Sequence, residues 1–319
     1  MSFSGEVKEE LSIYLPKARH CQIAEIAAIF GMCGQLERKK QGYYIRIHTE
    51  NITVARKCFT LLQKTFNIKA DMCVRRNAYL KKNRTYIIIV ANQHEVQKIL
   101  ETIKIEDENG KITENDKIAD QRILQSSCCR RAFVRGAFLA SGSISDPEKF
   151  YHLEIVCTSQ KKAEQMREIM NSFPVEAKIV RRKKYYVVYI KEGEQIGEML
   201  RVMEASLAVM NLENIRIVKE MRNSINRQVN CETANIHKTV SAAIEQINDI
   251  NYIREYVGFD NLPENLREIA LARLERPEAT LKELGDSLSP PVGKSGVNHR
   301  LRKLKMIADK SREKKEEDL

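Results

Sequence analysis

The chain has 319 residues, 43% hydrophobic and 30% charged, which is material for about two domains with ordinary cores. Its 54 Lys plus Arg against 43 Asp plus Glu leave a formal charge of +11, an excess that favours polyanionic partners. No apolar run reaches the roughly 18 residues of a spanning helix, and the opening MSFSGEVKEELSIYL lacks a basic-then-apolar signal pattern, so a soluble, cytoplasmic chain without membrane contact is expected.

In chain order, an N-terminal helix is followed by a helical stretch, AEIAAIFGMCG, that ends at Gly34. A second such stretch, RAFVRGAFLASG, ends at Gly142, 108 residues later. Between and beyond them the chain repeats itself. Thr49 pairs with Thr158 at an offset of 109, Phe66 with Phe173 at 107 and Arg75 with Arg181 at 106. Each copy reads helix, strands, helix, strands, helix. YYIRIHTE and HLEIVCTS alternate apolar and polar residues as half-buried strands do.

Both copies then carry a hairpin with a cationic turn. The first offers Arg75, Arg76, Lys81, Lys82 and Arg84; the second offers Arg181, Arg182, Lys183 and Lys184. A basic turn that recurs in both copies suits contact with a phosphate backbone. The opening helices carry Ala24, Ala28, Ala27 and Gly31, and Ala132, Gly136 and Ala140, at four-residue spacing. Residues four apart share a helix face, and a face of Ala and Gly lets two backbones approach closely. The expected architecture is α+β: two αββαββα repeats packed through their opening helices about a pseudo-twofold axis, with the sheets forming a saddle. The segment from Glu106 to Asp120 reads as a flexible connector between the copies.

From about residue 212 strands give way to helices. LENIRIVKEMRNSINRQVN reads as a connecting helix, and Ala242, Ala243, Ile247, Ile250 and Ile253 set the stripe of a second, long one. Pro263 opens the next. Thr280 and Glu283 have capping-box spacing, and Leu281, Leu284 and Leu288 give a short helix its buried face. Ser289-Pro290-Pro291-Val292-Gly293 breaks it. A further helix follows with Ser295 as its N-cap and Val297, Leu301 and Leu304 as its stripe. This is a helix-turn-helix. Lys294, Ser295, Asn298, His299, Arg300, Arg302, Lys303 and Lys305 are its candidate DNA contacts, because Arg and Asn read base edges while Lys and Ser hold phosphate. Expected boundaries are 1–125 for the first repeat with its N-terminal helix and linker, 126–220 for the second, 221–310 for the helix-turn-helix domain, and a frayed tail at 311–319.

Cys21, Cys33, Cys58, Cys73, Cys128, Cys129, Cys157 and Cys231 form no CxxC and no Cys/His ligand spacing. They read as reduced thiols, several of them small core hydrophobes, and no metal or cofactor is expected. His48, His94, His152, His237 and His299 are scattered.

IAAIFGMCG and VRGAFLASG resemble the two LAGLIDADG motifs of a single-chain homing endonuclease, over roughly residues 20–220. That resemblance implies a central pair of motif helices and a saddle that lies along the DNA major groove. It also implies that the metal-holding acidic positions fall on Cys33 and Ser141, with Gly31 and Leu139 in the other acidic slots. Holding magnesium beside a scissile phosphate calls for hard oxygen ligands. A thiol and a hydroxyl do not supply them, so no catalytic residues and no cleavage are expected. The whole chain, most specifically MSFSGEVKEEL, RNSINRQVNCETANIHKTV and ATLKELGDSLSPPVGKSGVNHRLRKL, resembles the WhiA family of Gram-positive bacteria. Its helical module is similar to sigma factor region 4. Membership implies a regulator that binds double-stranded DNA, linked to cell division, chromosome segregation and, in sporulating lineages, sporulation. It would act as a monomer at the nucleoid, with no small-molecule substrate. Two other readings compete: an interaction protein that binds RNA polymerase sigma factor or the division machinery with incidental DNA contact, and an active nuclease.

Overall fold

A computed structural model of the chain describes residues 2–39, 42–76, 84–105 and 117–317. It divides into two compact units, Met1–Lys219 and Glu220–Leu319.

The first unit opens with α1 (Phe3–Ile13), capped by the Ser2 hydroxyl, which accepts from the Gly5 amide at 3.2 Å. The first copy then runs α2 (Arg19–Cys33), β1 (Gly34–Lys39), β2 (Gly42–Thr49), α3 (Ile52–Phe66), β3 (Asp71–Arg76), β4 (Arg84–Val90) and α4 (Gln93–Thr102). The second runs α5 (Ser127–Ser141), β5 (Gly142–Ile144), β6 (Leu153–Cys157), α6 (Gln160–Asn171), β7 (Lys178–Arg182), β8 (Tyr185–Ile190) and α7 (Gly193–Met203). Both are αββαββα, and the antiparallel sheets have matching orders, β1-β2-β4-β3 and β5-β6-β8-β7. The alternation read from the sequence is the cause. Ile45 and Ile47 in β2, and Leu153 and Ile155 in β6, turn into the core, while Arg46 and Glu154 stand on the other face. In register, Ile47 faces Ile88 and Ile155 faces Val188.

Helices α2 and α5 pack on each other at the centre of the unit, and Ala24, Ala28, Ala132 and Ala137 are buried there. Gly136 carries the close approach: a Cβ on it would lie 2.6 Å from the Glu25 carbonyl oxygen and 3.0 Å from the Ala28 methyl. Gly31 serves a different neighbour from the one its spacing implies. A Cβ there would stand 2.4 Å from the Ile118 carbonyl oxygen. The end of the connector is therefore held in place, contrary to the flexible segment expected over Glu106–Asp120. Ile118 and Ala119 are buried, and the Gln165 side chain on α6 grips both. Its Oε1 accepts from the Ile118 amide at 2.7 Å and the Ala119 amide at 3.2 Å, and its Nε2 donates to the Ala119 carbonyl at 2.7 Å. Two apolar residues in a polar stretch supply the burial. Residues 106–116 lie outside the described residues.

The core also holds an ionic cluster that no periodicity announces. Glu25 on α2 is fully buried and lies 3.0 Å from Lys57 on α3 and 3.2 Å from Arg135 on α5. Arg135 also reaches Glu204 at 2.5 Å and the Met203 carbonyl at 3.3 Å. Lys57 donates to the carbonyls of Leu11, at 3.1 Å, and Tyr14. Each charge is thus paired and hydrogen-bonded, the condition under which burying it is tolerable.

α8 is a single helix, Ser206–Tyr256, where a connecting helix and a separate second one were expected. Its 51 residues contain no proline or glycine, so nothing in the chain stops it. Its beginning buries Ala208 and Leu212 in the first unit's core; its end buries Ile250 and Ile253 in the second's. That second core is completed by α9 (Glu264–Glu275), α10 (Leu281–Asp286) and α11 (Lys294–Glu317) through Leu266, Ile269, Leu284, Val297, Leu301, Leu304 and Ala308. α11 runs on to Glu317, through the expected tail. Arg312 anchors it, at 2.8 Å from Asp249 and 3.0 Å from Asp309, with its guanidinium 4.7 Å from the centre of the Tyr252 ring.

Candidate nucleic-acid interface

The helix-turn-helix forms as its sequence directs. The Thr280 hydroxyl accepts from the Glu283 amide at 3.3 Å, and the Glu283 carboxylate accepts from the Thr280 amide at 2.8 Å, closing a capping box at the start of α10. This backbone bond holds the Glu283 carboxyl below its usual value. Residues 287–293 turn the chain, and α11 begins at Lys294. Ser295 therefore lies in the first helical turn and is not the N-cap. The Gly293 carbonyl takes the first intrahelical bond, from Val297 at 3.1 Å, and glycine is well tolerated at that position.

With Val297, Leu301 and Leu304 buried, the 3.6-residue period turns Lys294, Ser295, His299, Arg302 and Lys303 outward, and all five are exposed. Asn298 is half-buried. Arg300 and Lys305 are drawn to the domain's own body. Arg300 donates to the Asn265 carbonyl at 3.3 Å and lies 3.9 Å from Glu268, while Lys305 pairs with Glu245 on α8. Beside the exposed row lies a cleft of about 520 Å³ whose lining includes Lys238, Thr280, Lys282, Lys294 and Asn298. Lys238 and Lys282 were not singled out in the sequence. The periodicity that exposes Lys282 on α10 was legible there, but the approach of Lys238 from α8 was not.

On the sheets, Arg75 and Arg84 are exposed, and the register sets Arg76 opposite Arg84. Lys81 and Lys82 lie outside the described residues. In the second copy Arg181, Lys183 and Lys184 are exposed. Lys183 takes φ 53° at the turn, Arg181 lies 5.9 Å from the Tyr186 ring centre and Lys184 5.3 Å from that of Tyr185. Arg182 is paired with Glu154 at 2.9 Å, as Arg46 is with Glu37 at 2.7 Å. Glutamates thus neutralise part of the sheets' positive charge.

Cys33 and Ser141 occupy the last turns of α2 and α5. The Cys33 thiol donates to the Ile29 carbonyl at 3.2 Å and the Ser141 hydroxyl to the Ala137 carbonyl at 3.5 Å. Burial pushes the Cys33 thiol up to about 12, against the pull of Lys8 beside it. Lys162 donates to the Gly31 carbonyl at 2.8 Å. Lys8 and Lys162 thus both lie at the C-terminal end of α2, where a cation complements the helix dipole. One group of side chains suited to a metal, His20, Cys21, Cys128 and Cys129, lies at the opposite, N-terminal end of the same helix pair.

Fold and site together define a two-copy LAGLIDADG-like body followed by a helix-turn-helix module. Family models carry the same division: "WhiA N-terminal LAGLIDADG-like domain" matches residues 19–106, "WhiA LAGLIDADG-like domain" 130–222, and "WhiA C-terminal HTH domain" 225–308. The chain is 54% identical to "Probable cell division protein WhiA" of Lachnoclostridium phytofermentans, over 97% of this chain and 99% of that one. It is 51% identical to the protein of the same description from Alkaliphilus oremlandii, over 99% of each. Among solved structures, full-length WhiA from Thermatoga maritima matches with a TM-score of 0.59 at 25% identity, covering 98% of this chain and 99% of that one. The chain belongs to the WhiA family.

Proposed function

We propose that this protein is a non-catalytic, sequence-specific DNA-binding regulator acting in cell division and chromosome segregation, and in sporulation where the lineage sporulates. The observation that carries the reading is the exposed row Lys294, Ser295, His299, Arg302 and Lys303 on α11, backed by a fully packed apolar stripe. A rigid helix with cations and hydrogen-bonding groups on its free face fits the major groove. Lys238 and Lys282, in the cleft beside it, add phosphate contacts. Arg300 and Lys305 are given structural duties in this reading. The hairpin cations Arg75, Arg84, Arg181, Lys183 and Lys184 supply sequence-independent attraction. Cleavage is not part of the function in this reading, because the positions that the LAGLIDADG resemblance assigns to metal-holding carboxylates, Cys33 and Ser141, carry a thiol and a hydroxyl. The protein acts as a monomer at the nucleoid, since both halves of the pseudo-twofold lie in one chain.

The test is selection of bound sequences from a randomised duplex pool by the full chain, then affinity against salt for the winner. An enriched site is expected. Arg302→Ala with Lys303→Ala should weaken binding at least tenfold and lower the salt slope by about 2, at about 0.9 per phosphate contact. No enrichment, or a double variant that binds as before, overturns the reading; magnesium-dependent nicking of plasmid would overturn its non-catalytic part. One observation favours a second reading, an interaction protein whose partners include RNA polymerase sigma factor. Met221, Ile225, Val229, Ile236 and Val240 on α8 are exposed apolar residues that DNA binding does not use. Co-purification of sigma factor with the full chain, abolished by Ile225→Glu and with DNA affinity unchanged, would support it.

A further inference from the structure

The first turns of the two central helices meet. α2 contributes His20 and Cys21; α5 contributes Cys128 and Cys129, each 108 residues further on. The pseudo-twofold that pairs the helices thus brings two adjacent dipeptides to one point. Their four ligand atoms all lie within 4.8 Å of one another. His20 Nδ1 is 3.1 Å from the Cys129 sulfur and 3.4 Å from the Cys21 sulfur. A tetrahedral zinc with Zn–S near 2.3 Å sets its sulfurs about 3.8 Å apart, so the cluster needs only small side-chain rotations to close on an ion.

We infer that His20, Cys21, Cys128 and Cys129 form a Cys₃His site for a thiophilic divalent cation of the zinc class, joining the two copies at the N-terminal end of the α2–α5 pair. Four protein ligands leave no open position, which makes the site structural. Three thiolates and one divalent ion carry a net negative charge. The cluster lies at the N-terminal ends of both helices, neither of which has a side-chain cap, so their dipoles favour that charge. Cys21 and Cys129 are buried while His20 and Cys128 are exposed, so the site has an apolar floor and an open side for entry. That side gives onto a cleft of about 410 Å³ lined by Tyr14, Lys17, Cys128, Arg131 and Glu204 among others. Adjacent ligands from two distant segments produce no CxxC, which is why the cysteine spacing read as metal-free and His20 was not singled out.

The experiment uses the full chain, purified with reductant, stripped of metal and titrated anaerobically with Co²⁺. The expected result is one Co²⁺ per chain, with the strong red-region bands of tetrahedral coordination, sulfur-to-cobalt charge transfer in the near ultraviolet, and displacement of both by Zn²⁺. His20→Ala, at an exposed position that should still fold, shifts the bands. Exposed Cys128 gives an independent readout: Zn²⁺ should shield it from a thiol reagent, and a chelator should restore its reaction. Pale octahedral spectra, or Cys128 reacting equally with and without Zn²⁺, overturn the inference. So does a Cys21–Cys128 or Cys21–Cys129 disulfide in peptide maps combined with no metal uptake after reduction.

Discussion

Glu25→Gln is the most informative single change to the core. In the native protein the Glu25 carboxylate answers two buried cations, Lys57 at 3.0 Å and Arg135 at 3.2 Å. Gln keeps the shape and one acceptor but removes the charge. Arg135 retains Glu204, at 2.5 Å, as a counter-charge, whereas Lys57 is left with the Leu11 and Tyr14 carbonyls alone. Breaking a buried pair in this way costs about 3–5 kcal/mol. Lys57 itself sets a ceiling on its own share. Burial already pulls its ammonium below the usual value, against Glu25, and in the variant it can give up its proton. From a normal lysine pKa near 10.4 down to pH 7, at about 1.4 kcal/mol per unit, that costs about 4.6 kcal/mol. Because the folded variant then binds fewer protons than the unfolded chain, its stability rises with pH. The gap to the native protein should narrow between pH 7 and pH 10. The two units make a single global transition an unsafe readout, so the assay is urea-dependent hydrogen exchange followed on the α2 peptide, residues 19–33. A loss under 1 kcal/mol, or a gap that widens with pH, would refute the reasoning.

Three further outcomes are expected. Gly31→Ala and Gly136→Ala should each destabilise the first unit by about 1–3 kcal/mol in the same exchange assay, because the new methyl meets backbone carbonyls at 2.4 and 2.6 Å. Thr280→Ala should cost the second unit about 1 kcal/mol, read as faster exchange in α10. The share of the cap made by Glu283, whose carboxyl is held low by the Thr280 amide, is present near neutral pH and lost as pH falls through that lowered value; because the amide survives the substitution, native protein and variant should lose it alike, and the gap between them should stay constant on acidification. Alkylation of the metal-free protein at pH 8 should modify exposed Cys73, Cys128 and Cys231 first and leave Cys33 and Cys157 nearly untouched, since burial pushes those two thiols up to about 12 and about 11.

The fold was legible wherever burial wrote a period into the chain. Alternation in β2 and β6, the recurrence of the glycine-ended helices and the stripe of α11 all follow from one face meeting a core. What the sequence hid was pairing across distance. Glu25, Lys57 and Arg135 look like surface charges in a linear reading, because only the packing of α2, α3 and α5 makes each the partner of the others. His20, Cys21, Cys128 and Cys129 are hidden for the same reason. Arg300 and Lys305 show the converse: their position on α11 was readable, but the carbonyl and carboxylate that hold them come from α9 and α8. The length of α8 was open to inspection, since a run without glycine or proline has no stop. Its polar middle, around Asn226–Asn235, obscured the continuity.

The buried ionic cluster also bears on how two such molecules meet while folding. The position in α5 that matches Glu25 is Phe133, and Arg135 has no cation at its counterpart, Ala27, in α2. The halves are alike in backbone and unlike in charge. An α2 from one molecule docked on the α2 of another would bury two carboxylates without their guanidinium, and an α5 on an α5 would bury two guanidinium groups without Glu25. Either mismatch sets like charges where the native pair sets opposite ones, and leaves each Glu25 to Lys57, or each Arg135 to Glu204, alone. The charge difference between the two halves therefore favours setting α2 on α5 over setting either helix on its own kind.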